Sequence, residues 1–73
     1  MSKAYYALTA PMEETIDTKV LDAIKNTNYV GVNPDFPLTH ILFETISDRN
    51  EAYRALKPMI PGLAYNTQQA YLD

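Results

Sequence analysis

The chain has no cysteine, no tryptophan, two glycines and a single histidine. Without cysteine there can be no disulfides, thiolate zinc sites, iron–sulfur clusters or thiol nucleophiles. His40 leaves carboxylates as the only other strong ligands, which supplies a transition-metal site poorly, so neither a metal nor a cofactor is expected. Gly31 and Gly62 cannot form a glycine-rich phosphate loop of the dinucleotide or P-loop kind. Long apolar runs are also missing: no window nears the roughly 20 residues that a membrane span needs. The start, Met1-Ser2-Lys3, leads into a short alternating segment and not into a signal-peptide apolar region, and no Asn-x-Ser/Thr sequence follows. A cytoplasmic protein without membrane association is the expectation.

Cations are scarce and scattered. Six Lys and Arg, at positions 3, 19, 25, 49, 54 and 57, stand against nine Asp and Glu, for a net charge of -3. Binding to a phosphate backbone needs clustered cations, so nucleic acid is not an expected partner. The acidity is too mild for a nucleic-acid mimic.

What the chain does have is an apolar share of 47% and six tyrosines in 73 residues, a globular composition. One small domain over residues 1–73 is expected. A chain this short buries only about 60% of the surface its unfolded form exposes, so its core is thin and a partner would reinforce it.

Residues 3–10, KAYYALTA, suit a strand that Pro11 ends. Proline suits a first helical turn, and Glu13, Glu14 and Asp17 complement the positive end of a helix dipole, so a first helix is expected from here. Its apolar stripe is Ile16, Val20, Ala23, Ile24 and Thr27, at helical spacing. Asn26-Thr27-Asn28 closes it, residues 29–32 favour a short strand, and residues 33–37 read as a turn-rich connector. Residues 40–46 form the clearest strand. Asp48 and Glu51 suggest a capping box, followed by a stripe of Ala52, Ala55, Leu56 and Met59 that Pro58 limits. Residues 63–72, LAYNTQQAYL, suit a half-exposed strand.

Two strand–helix–strand units of matched length follow one another. They predict an α+β fold of the ferredoxin-like split βαβ type (βαββαβ): a four-stranded antiparallel sheet with two helices on one face. A three-stranded sheet with residues 29–32 as a loop stays open.

In that arrangement one sheet face lacks helices. If Ile41 and Phe43 face the helices, His40, Leu42 and Glu44 lie on the other side, and a one-residue slip swaps the sets. Tyr5 of the first strand and Tyr65 and Tyr71 of the last would join them. Tyr, His, Leu and Glu make the mixed surface that interfaces favour, so Tyr5, His40, Leu42, Glu44, Tyr65 and Tyr71 are the expected partner-binding residues. Base stacking on the same face is disfavoured, because ILFETIS replaces the glycine-and-aromatic run of RNA-recognition modules.

No catalytic set can be assembled. Ser2 and Ser47 lack a nucleophile-elbow setting. His40 and Glu44 share a strand face but lie about 13 Å apart at strand rise. The sequence therefore predicts a non-catalytic protein-interaction module, of the small regulator or inhibitor kind. It would bind a protein partner or a second copy through the open sheet face or the edge of its last strand. The rival from another class is a small-molecule-binding regulatory domain acting as a dimer.

Overall fold

The computed structural model describes residues 3–72, with side chains from residue 4 to residue 66. The elements are β1 (Lys3–Pro11), a 3₁₀ turn (Met12–Glu14), α1 (Thr18–Lys25), β2 (Tyr29–Asp35), β3 (Leu38–Phe43), α2 (Ile46–Leu56) and β4 (Ala64–Leu72). The strands form one antiparallel sheet in the order β2-β3-β1-β4. The fold is therefore α+β, with a four-stranded antiparallel sheet and two helices. β2 pairs with β3 along its length, so residues 29–32 are strand and not loop.

Strand parity explains the core. Leu8 lies opposite Ile41 and Tyr6 opposite Phe43, and Leu8, Ala10, Ile41 and Phe43 bury against Val20 and Ile24 of α1 and Ala52 and Leu56 of α2. Ile60 and Leu63, from the loop before β4, complete the cluster. Phe43, Leu8, Ile41 and Leu56 are among the largest fully buried side chains, each contributing about 1.5–3 kcal/mol by leaving water.

Several boundaries differ from the expectation, each for a local reason. Pro11 leads into the 3₁₀ turn, whose carbonyl at Met12 accepts bonds from the Thr15 N–H at 3.0 Å and the Thr15 hydroxyl at 2.8 Å. The first α-helix begins only at Thr18, where the Asp17 carboxylate caps it by accepting from the Lys19 N–H at 2.8 Å. Ile16 thus falls outside the helix and outside the core. β2 runs through Pro34 to Asp35, because an edge strand tolerates a residue without an N–H. The expected connector shrinks to Phe36-Pro37, joined by a cis peptide. The third strand stops at Phe43, since Thr45 is the N-cap of α2 and accepts from the Asp48 N–H at 3.1 Å. α2 consequently starts at Ile46, two residues before the expected Asp48.

Gly62 ties the two ends of the core together. Its N–H donates to Glu14 Oε1 at 2.9 Å. A Cβ at this position would stand 2.7 Å from Glu14 Oε2 and 2.8 Å from Pro11 Cδ, too close for any side chain without displacement.

Candidate functional site

The helix-free face holds the only histidine. β3 sets His40 opposite Thr9 on one side and Asn33 on the other. The Thr9 hydroxyl lies 2.8 Å from His40 Nδ1, and His40 Nε2 lies 3.2 Å from Asp35 Oδ2. With the proton on Nε2, the ring donates to Asp35 and accepts from the Thr9 hydroxyl, a hydroxyl–imidazole–carboxylate line. The ring is 14% exposed. None of these three residues lines either of the two apolar grooves described below. The line accounts for His40 as a satisfied strand histidine, with its carboxylate partner supplied across strands by Asp35.

The expected partner-binding residues do not come together. Tyr5 and His40 are half-buried on the helix-free side, Tyr5 sharing the parity of Ala7 and Thr9. Leu42 lies on that side too, opposite Ala7, but both are fully buried and offer a partner nothing. Glu44 is exposed in the link after β3. Tyr65 lies on the opposite face from the one expected: it pairs with Leu8, a core residue, and its ring stacks on Tyr53 of α2 at 4.2 Å between centroids. The side chain of Tyr71 lies outside the described residues.

Tyr65 belongs to a stack on the α2 side of the molecule. The Arg49 guanidinium lies between the Tyr65 ring, 4.7 Å from its centroid, and the Tyr6 ring, 5.7 Å away. Lys57 continues the row, 5.8 Å from the Tyr53 ring centre, while its ammonium donates to the carbonyls of Pro61 at 2.8 Å and Leu63 at 2.9 Å. The row spans β1, α2 and the entry to β4 and sets cations against tyrosine rings there, while Ile46 and Met59, near the two ends of α2, stay exposed.

The α1 side is different. Two connected apolar grooves open there, sharing Met12 and Ile16 as a common ridge. One, of about 380 Å³, runs between α1 and β2 and is lined by Ile16, Leu21, Ile24 and Val32, with Lys25 at its rim. The other, of about 430 Å³, lies beside the β2–β3 turn and is lined by Pro11, Met12, Phe36 and Leu38, with Glu13 at its rim. The turn is fixed in place, since the Met12 N–H donates to the Pro37 carbonyl at 2.8 Å. Around the grooves Ile16 is 70% exposed and Phe36 84%, with Leu21, Val32 and Leu38 also exposed.

No family model, curated protein or solved structure matches this chain. Function must be argued from the chain's own surface. Among the described residues no group of three His, Asp or Glu side chains could hold a metal ion, and no helix is long and apolar enough to cross a membrane.

The residues sequence reasoning missed are Ile16, Leu21 and Phe36. Ile16 has helical spacing from Val20, which placed it in the buried stripe, although it precedes the true cap, Asp17. Phe36 carried a usable signal: an aromatic ring in a turn between Asp35 and Pro37 has no core within reach.

Proposed function

We infer that this chain is a non-catalytic module that works by docking another protein chain. The observation that carries the reading is the contiguous apolar strip of Ile16, Leu21, Val32, Phe36 and Leu38 around two joined grooves. Apolar surface of this continuity on a small domain marks an interaction site. The docking surface is thus assigned to the α1–β2 side, in place of the helix-free face, where Leu42 is buried and His40 is engaged on both ring nitrogens.

The fold reading consistent with this is the ferredoxin-like split βαβ arrangement. It is supported by the sheet order, which read from the other edge is β4-β1-β3-β2, and by the burial of both helices in one cluster with Leu8, Ala10, Ile41 and Phe43.

Photo-crosslinking tests the docking reading. A benzophenone side chain placed at position 16 should form a covalent protein adduct in cells, and one placed at the exposed position 54 on α2 should not. Absence of any adduct at position 16, or equal yields at both positions, would overturn it. The volume of the α1–β2 groove, about 380 Å³, also falls in the range of small-ligand pockets. A metabolite that raises the melting temperature of the wild type, and not of Leu21→Asp, would favour the small-molecule regulatory reading instead.

A further inference from the structure

The docking strip is self-complementary, and this inference rests on the docking reading while naming its occupant. We propose that the occupant is a second copy of this chain. The two strips meet head to tail about a two-fold axis near Met12 and Ile16, with Phe36 of each copy seated in the α1–β2 groove of the other.

Three features fit this occupant. First, each chain carries both a knob and a hole. Phe36 projects from a two-residue turn that the Met12 N–H to Pro37 carbonyl bond holds beside the strip, and it is 84% exposed. An enclosed apolar cavity of about 150 Å³ accepts a benzene ring, so the α1–β2 groove of about 380 Å³ has room for a phenyl side chain. Second, the charges at the two ends of the strip are opposite. Glu13 stands at the Phe36 end and Lys25 at the other, and both are exposed. A two-fold apposition sets Glu13 of one copy against Lys25 of the other, twice, and fills the α1–β2 groove of each copy with the same motion. Third, the two grooves share Met12 and Ile16, so the ridge between them lies where a two-fold axis would bring it against its own copy. A closed, isologous contact requires this arrangement, since the same patch must serve both partners.

Sedimentation equilibrium from micromolar to millimolar concentration provides the test. The wild type should pass from monomer to dimer. Phe36→Ala should raise the dimer dissociation constant about tenfold or more while leaving the melting temperature of the monomer unchanged, because the ring lies outside the core. Glu13→Lys and Lys25→Glu should each weaken the dimer by about two- to fivefold. The double variant Glu13→Lys with Lys25→Glu should restore it, a rescue that loss of folding could not produce. A wild type that stays monomeric throughout would overturn the inference, as would a dimer indifferent to Phe36→Ala or a double variant that fails to recover. If the chain is monomeric and the adduct at position 16 contains a different protein, this inference falls and the docking reading stands. If it is monomeric and no adduct forms, both fall.

Discussion

α1 and α2 bury their apolar faces against the same side of one sheet, yet they finish their outer surfaces in opposite ways. α2 is 11 residues long, begins directly at the Thr45 cap, and is flanked by the row of Tyr6, Arg49, Tyr65, Tyr53 and Lys57. α1 is 8 residues long and enters only after the 3₁₀ turn and Asp17. The longer entry displaces Ile16 outward and opens the groove beside β2. Two similar strand–helix–strand units thus diverge at the connection from strand to helix: a short link seats α2 directly after β3, and a long link leaves an apolar groove between α1 and β2.

The largest effect that would break this comparison lies in the core both halves share. Phe43→Ala should reduce unfolding free energy by about 3–5 kcal/mol in a urea titration. A loss below about 1 kcal/mol would mean that Phe43 is not the common floor under both helices.

A smaller effect sharpens the α2 half. Arg49→Ala removes a guanidinium held between two rings, each contact worth about 0.5–1 kcal/mol at a partly exposed position. A loss of about 1 kcal/mol is expected by thermal denaturation, moderated because the Arg49 Nε is buried without a hydrogen-bond partner among the described residues and its removal relieves that cost. No change at all would reduce the row to a surface decoration.

The smallest effect on stability concerns the α1 half. Ile16→Ser should leave the unfolding free energy of the monomer within about 0.5 kcal/mol of the wild type, because the side chain already stands in water. A loss above about 1.5 kcal/mol would place Ile16 in the core and erase the difference between the halves.

The core was legible in the sequence because it follows from period alone. Alternation in residues 40–46 separates Ile41 and Phe43 from Leu42, and the helical spacing of Val20 with Ile24, and of Ala52 with Leu56, marks what each helix buries. Burial on the second sheet face was not legible. Parity groups Leu42 with His40, but its cross-strand partners Ala7 and Gly31 lie on two other strands, and no spacing within one strand announces that Leu42 is fully buried. The His40 partner was hidden for the same reason: Asp35 reaches it only because a tight turn folds β2 onto β3. Tyr65 was assigned to the other face because alternation within a strand fixes which residues go together and not which set meets the helices. The candidate groove depended on where a helix starts. Here Thr15 closed a 3₁₀ turn and Asp17 competed successfully with Pro11 for the cap.

The pairing of Tyr53 with Tyr65 has an optical consequence. The chain contains no tryptophan, so its near-ultraviolet circular dichroism comes from tyrosine and phenylalanine alone. Two tyrosine rings held 4.2 Å apart at 21° lie in a fixed chiral arrangement, with Arg49 against one of them. The part of the near-ultraviolet signal that Tyr53→Leu removes therefore reads the seating of α2 on the start of β4 without any attached dye. It allows the closing of one half of this small protein to be followed separately from the far-ultraviolet signal of the whole.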